Sequence, residues 1–223
     1  MKQSSGDGVS SFPPACAERK PRDSKQRLLE TACNLIARAS YGSVSVDDLC
    51  HAAQLKKGSF YYFFKSKAEL AVASLEYSWE EMQAHYEIIF APTNTPLQRL
   101  EKYFDYVIDL QTEKRKKYGC VIGCAFTAIG CELSSQEESI RKKVEEINRS
   151  KYAYLAVAIH DGQMDGSVAN ATPADQLAEE LQSLVLGTVL CGRIRNSLAP
   201  VYTIRDSARQ LLAIARLEPA LSA

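Results

Sequence analysis

The chain has 223 residues, 46% of them hydrophobic, enough for one large domain or two small ones with their own cores. Its 27 basic and 27 acidic residues cancel, so the overall charge gives no support for nucleic-acid binding. The distribution is more informative: residues 1–70 hold 11 Lys/Arg against 7 Asp/Glu, and residues 71–223 hold 16 against 20. A basic N-terminal segment on a neutral chain suits a small DNA-binding head carried by a larger body. No signal-peptide pattern opens the sequence and no apolar run is long enough to span a bilayer, so a cytoplasmic protein without a membrane partner is expected. Seven cysteines without regular spacing are expected to be free thiols rather than a disulfide framework.

Residues 1–22, rich in Ser, Gly, Pro and charge, are expected to form a disordered tail whose Arg19, Lys20 and Arg22 could touch DNA. A helix is predicted from about Ser24 to Ser40, capped by Asp23 and stopped by Tyr41-Gly42, with Leu28, Ala32, Leu35, Ile36 and Ala39 on one apolar face. Ser45 opens a second, short helix with Asp48 at the reciprocal capping position. After a tight turn at Gln54-Leu55, a third runs from about Lys56 to Phe63. Two short helices joined by a tight turn after a longer one form a helix-turn-helix pattern, which places a head at 23–68 and a body at 69–223.

The body reads as long helices. One covers about 67–90, and Thr95-Pro96 starts another that ends at Lys117. A shorter helix covers about 119–132. The next runs from Ser134 or Ser135 to about His160, its apolar stripe including Ile140, Val144, Ile147, Lys151, Tyr154, Leu155 and Ala158. Asp161-Gly162 and Asp165-Gly166 are predicted as a loop. Thr172-Pro173 caps a helix through Asn196, Pro200 ends that region, and the last helix spans Thr203 to about Leu217. No segment reads as a strand, so the fold class is all-α, with about nine helices.

The third helix has the residues that DNA contact requires. Gly58 lets two backbones approach closely. Lys56 and Lys57 bring charge to a phosphate or a guanine edge, and Ser59, Tyr61 and Tyr62 carry hydroxyl donors for phosphate oxygens. Lys65 and Lys67 extend the positive surface, and Ser45 with its helix N-terminus offers donors to a further phosphate. Phe60 and Phe64, four apart, are expected to face the core together.

Taken alone, the aromatic run Phe60 to Phe64 could equally be core. The wider text decides its reading. Leu28-Leu29-x2-Ala32, Tyr41-Gly42-x-Val44-Ser45-Val46-x2-Leu49 and Ala52-Ala53-Gln54-Leu55-x-Lys57-Gly58-Ser59-Phe60-Tyr61-Tyr62-x-Phe64-Lys65-Ser66-Lys67-x-Glu69-Leu70 together resemble the TetR/AcrR regulators. The resemblance implies a homodimer joined through the last two long helices, a palindromic double-stranded operator, and an effector pocket in the body. It also implies repression relieved by a small molecule, with Ser45, Lys57, Gly58, Ser59, Tyr61, Tyr62 and Lys67 as DNA contacts. Two positions depart from the family pattern: Gln54 stands where glycine is frequent, and Lys56 where a capping Ser or Thr is frequent.

In the body, Gly119-Cys120-Val121-Ile122-Gly123-Cys124 and Gly130-Cys131 stand out. On one helix Cys120, Cys124 and Cys131 would fall within about 40° of one another. Three roles suit such a line: small apolar packing groups, a thiol sensor at a helix N-terminus beside Lys114-Arg115-Lys116-Lys117, or a metal site short of a fourth ligand. A Gly-Cys start to this helix also resembles a family subset that senses electrophiles or oxidants through a thiol. The basic run 114–117 is expected to face water at a helix C-terminus. Trp79, Tyr86, Tyr103, Phe104, Tyr106 and Phe126 are candidate pocket-lining or core side chains. His51, His85 and His160 are scattered and receive no role, and no metal or cofactor is called for. There is no Gly-rich phosphate loop, no paired-histidine ligand set and no nucleophile with a base, which argues against an enzyme. A helical interaction protein that has lost DNA binding is disfavoured by Lys57, Gly58, Tyr61 and Lys67.

Overall fold

The computed structural model describes residues 23–214. The expected tail, with Arg19, Lys20 and Arg22, and the end of the last predicted helix lie outside them. The described residues form ten helices and no strand: α1 (Ser24–Arg38), α2 (Val46–Ala52), α3 (Lys57–Phe63), α4 (Lys67–Ile89), α5 (Pro96–Tyr118), α6 (Ala125–Leu133), α7 (Glu138–Asp165), α8 (Ala174–Arg195), α9 (Ala199–Tyr202) and α10 (Ile204–Leu211).

The starts of the early helices follow from local side-chain chemistry. Asp23 Oδ1 accepts from the Gln26 N–H at 2.7 Å and caps α1. Ser45 and Asp48 close a reciprocal capping box on α2, as do Thr95 and Gln98 on α5. Lys56 gives α3 no side-chain cap, and Gln54 takes a left-handed φ of 55° in the preceding turn, where glycine would be unstrained. Leu28, Ala32 and Ile36 of α1 are buried with Leu49, Phe60 and Phe64, and with Leu70 and Leu75 of α4, so head and body share one continuous core.

Three expectations need correction. The first concerns the segment after α5. Gly119 is left-handed (φ 74°) and ends α5, and Gly123 is left-handed as well, so no helix passes through 119–123. Cys120 therefore lies in an extended linker, with Val121 and Ile122 buried, and α6 begins only after Cys124. The Asn196 side chain fixes this linker by accepting from the Val121 N–H at 3.0 Å. The second concerns α7, which continues through Asp161-Gly162. A Cβ on Gly162 would stand 2.7 Å from the Val168 side chain, so this glycine serves close packing, and the helix stops at Gly166 (φ 81°). Asp161 receives the Arg99 guanidinium at 2.7 Å, which ties α7 to α5. The third is the C-terminal region, which holds two short helices rather than one. Pro200 sits in the first turn of α9, where its missing N–H costs nothing. Arg205 and Arg209 of α10 pair with Glu101, and Arg205 also with Asp105, both acids on α5.

Candidate nucleic-acid interface and body site

On α3 the apolar and polar faces separate cleanly. Phe60 and Phe64 are buried, whereas Tyr62 is 83% exposed and Tyr61 55%. Lys56, Lys57 and Gly58 are also exposed, and Ser59 is half-buried. Lys57 Nζ stands 3.0 Å from Asp47 of α2, and both side chains stay open to solvent. Gly58 is helical, and a Cβ built on it would meet nothing within 4 Å. The protein itself therefore gives no reason for a glycine at a position where it weakens the helix by about 1 kcal/mol relative to alanine. Ser45 is exposed at the start of α2, but its hydroxyl donates to Asp48 Oδ2 at 2.6 Å. That bond, with the Ser45 N–H, holds the Asp48 carboxyl below its ordinary pKa.

Lys67 is not part of this exposed surface. Its Nζ donates to the carbonyls of Tyr41 (2.7 Å) and Val44 (2.9 Å) and stands 3.9 Å over the Tyr41 ring. Burial lowers its pKa. It braces the α1–α2 connection rather than extending the positive surface. The same connection is held from the body: Glu132, near the end of α6, accepts from the N–H groups of Tyr41 (2.8 Å) and Gly42 (2.7 Å). Tyr118 of α5 adds a hydroxyl donated to Asn34 of α1 at 2.6 Å.

The aromatic candidates of the body are packed against one another. Tyr86 meets Trp79 at 5.6 Å and Tyr103 at 5.9 Å, both edge to face. Tyr103 donates to Gln182 Oε1 at 3.0 Å, Phe104 is fully buried, and Tyr106 stacks on His85. Burial raises the pKa of Tyr86, Tyr103 and Tyr106. Within this apolar surround sits Lys151 of α7, only 3% exposed, with Nζ 4.1 Å from the Phe126 ring and 5.9 Å from that of Trp79. Its place in the apolar stripe of α7 was the sequence signal for an unusual residue, although that signal named no partner.

Cys124 belongs to the same group. Burial raises its thiol pKa, but Lys151, the first-turn N–H and hydroxyl of Thr127, and Lys114 outweigh that, and the pKa is held below its ordinary value. Of the lowering influences Lys151 is the largest, followed by the two hydrogen bonds from Thr127. Lys114 departs from the water-facing run expected at 114–117. It is half-buried, burial lowers its pKa, and it acts on Cys124 and Cys33. Cys33 is pushed up to about 11 by burial. Cys120 is half-buried on the linker, and Cys131 is exposed on α6. Cys124 and Cys131 both border a crevice of about 60 Å³ against Arg193 of α8, which does not include Cys120. Among the described residues no set of His, Cys, Asp and Glu is placed to hold a metal ion, and no helix is long and apolar enough to cross a membrane.

Comparison with known proteins agrees with this architecture. The family model for bacterial regulatory proteins of the tetR family matches residues 28–73, and that for the tetracyclin repressor-like C-terminal domain matches residues 96–208, by itself just over half of the chain. The chain is 23% identical over 192 residues to the HTH-type transcriptional repressor NemR of Escherichia coli, covering 86% of this chain and 94% of that one. It is 29% identical over 127 residues to an uncharacterised HTH-type transcriptional regulator of Lactococcus lactis, a match that spans 56% of this chain and 63% of that protein. The crystal structure of reduced E. coli NemR superposes with a TM-score of 0.77 at 23% identity, covering 88% of this chain and all of that one. The all-helical chain, with its helix-turn-helix head and helical C-terminal domain, belongs to the TetR family of DNA-binding transcriptional regulators, which are not enzymes.

Proposed function

We propose that this protein is a repressor that binds a palindromic operator as a homodimer, with one α3 in each of two successive major grooves. A small molecule or thiol modification in the body then releases it. The observation that carries this reading is Gly58. It lies on an exposed helical face with open space around it, flanked by Lys57, Tyr61 and Tyr62, so the closeness it permits must be to something outside the chain. Lys56, Lys57, Ser59, Tyr61 and Tyr62 supply the contacts, and the N-terminus of α2 at Ser45 supplies a further one. Lys67 supports the head from behind.

For the dimer, the last two long helices, α7 and α8, offer exposed apolar side chains: Val157 and Met164 on the first, Leu190 and Ile194 on the second. An open groove of about 640 Å³ runs along α8 beside Gly187, Thr188 and Pro200, which suits a facing helix. For thiol control, Cys124 is better placed than Cys120. Its thiol pKa is lowered, which favours the reactive thiolate, and it begins the helix that ends at the Glu132 contact with the head.

Replacing Gly58 by Ala tests the reading directly. The variant should melt at a temperature equal to or above that of the wild type, because alanine favours the helix by about 1 kcal/mol. It should bind operator at least about tenfold more weakly in a gel-shift titration, the loss of roughly one good contact. Unchanged affinity in a folded Gly58→Ala protein removes the reading of α3 as the recognition helix. For the release step, peroxide should weaken operator binding by the wild type and leave Cys124→Ser unaffected. Equal responses from both proteins would take Cys124 out of it.

A further inference from the structure

The interior of the body holds two amines, Lys151 and Lys114, and among the described residues neither forms an ion pair with a carboxylate. Lys151 is 3% exposed and is flanked by the rings of Phe126 and Trp79. Among the described residues no carboxylate pairs with it, nor with Lys114, whose amine acts on the same Cys124 thiol and on Lys151 itself. The carboxylates near the body core are engaged elsewhere: Asp161 with Arg99, Glu101 with Arg205 and Arg209, Glu76 with Lys143, and Glu30 and Glu81, which act on Cys33 as Lys114 does, with Tyr77. Burial lowers the pKa of both amines, and with both protonated even a Cys124 thiolate would offset only one ammonium. A buried cation in that position is costly unless an anion joins it.

A second observation comes from α5. Gln111 lies three residues before Lys114, on the same helix face, and is only 3% exposed. Its Nε2 reaches the Gly123 carbonyl, next to Cys124, at a long 3.5 Å, while its Oε1 is buried with no hydrogen-bond partner among the described residues. Buried polar atoms in native proteins are seldom left so. An orphaned acceptor calls for a donor, as the surplus ammonium calls for an anion. The remaining surroundings, Trp79, Phe126 and Tyr86, present flat apolar rings.

We infer that the region bounded by Lys151, Lys114, Gln111, Trp79 and Phe126 is a binding site for a small hydroxylated aromatic carboxylate, held non-covalently. The carboxylate meets the ammonium groups of Lys151 and Lys114, the hydroxyl donates to Gln111 Oε1, and the ring packs against Phe126 and Trp79. This deepens the effector reading above and rests on it only for the consequence of binding, since occupancy is measured without DNA.

The test is calorimetric titration of the full chain with 4-hydroxybenzoate, salicylate and 4-hydroxycinnamate. Emission of Trp79, the only tryptophan, is followed alongside and corrected for ligand absorbance. At least one acid should bind saturably, and its neutral amide should bind at least about tenfold more weakly, as the loss of a charge-assisted contact requires. Lys151→Met should weaken the acid by a similar factor while keeping the helical signal and a cooperative melt. Should that variant fail to fold, Lys114→Met takes its place with the same expectation. Cys124→Ser should bind the acid as tightly as the wild type or more so, because it removes the competing negative charge, and the protein mass should not change on binding. No saturable binding by any of the three acids overturns the inference. So does an amide that binds within the same factor, a folded lysine variant with a smaller loss, or a loss in Cys124→Ser. A gel shift run without any acid separates this from the regulator reading. Operator binding without acid binding sinks the site alone, and acid binding without operator binding sinks the repressor reading alone.

Discussion

The head and the body handle their polar groups in opposite ways. In the head, three of the groups singled out by sequence find their partners within the head itself. Ser45 meets Asp48, Lys57 meets Asp47, and Lys67 meets the carbonyls of Tyr41 and Val44. In the body, Lys151, Lys114, Gln111 and Cys124 come from two helices, α5 and α7, and the linker end, and are drawn into an apolar interior where, among the described residues, the amines find no carboxylate. A surface built for a large polyanion can be assembled from adjacent residues and remain solvated until it is used. A site for a small ligand must be assembled from distant parts of the chain, and its polar groups stay in tension until the ligand arrives.

If that division holds, the Glu132 contact is where the two regions are coupled, and removing it should give the largest effect. Glu132→Ala leaves the Tyr41 and Gly42 N–H groups without their carboxylate. Loss of charge-assisted hydrogen bonds of this kind should cost about 2 kcal/mol in urea unfolding. The contact is partly open to water, which keeps the figure at the lower end. A change below about 0.5 kcal/mol would show that the head stands without α6 and that the two regions are independent.

Lys67→Met should follow, at about 1–2 kcal/mol, because two carbonyls lose a charged donor and the Tyr41 ring loses its cation. Here the salt dependence of operator binding is the more pointed readout. A brace should lower stability and leave the slope of log affinity against log salt unchanged, whereas a phosphate contact would flatten that slope by about one unit. A flattened slope with an unchanged melt would return Lys67 to the DNA surface.

The same contrast explains what could be read from the residues alone. The capping pairs Ser45/Asp48 and Thr95/Gln98 are three apart, so local spacing was enough to place the starts of α2 and α5. The exposed face of α3 follows from the four-residue interval between Phe60 and Phe64. Glycine is where spacing failed. Gly119 and Gly123 break a segment that reads as one helix, while Gly162 lies inside a helix although Asp161-Gly162 reads as a turn. What separates the two cases is the Val168 side chain packed on Gly162, which is a tertiary contact and has no signature in the neighbouring residues. Lys151 was visible as a charge in an apolar stripe, but its meaning depends on Phe126, Trp79, Lys114 and Cys124, brought to it by three other helices and the Gly119–Cys124 linker.

The smallest effect on stability is expected at Lys57, where the contrast between the regions is sharpest. Its ion pair with Asp47 is 3.0 Å long, yet both side chains remain more than half exposed. Exposed pairs of this kind contribute about 0–1 kcal/mol, because water and salt screen the attraction and two long side chains lose freedom in making it. Lys57→Met should therefore leave the unfolding free energy within about 0.5 kcal/mol of the wild type. DNA reverses the balance: a phosphate can replace Asp47 as the partner, with release of a condensed counterion. The variant should bind operator more weakly and reduce the salt slope by about one unit. A clear drop in stability with an unchanged slope would mean that Lys57 is structural after all, and the head would then lose the feature that sets it apart from the body.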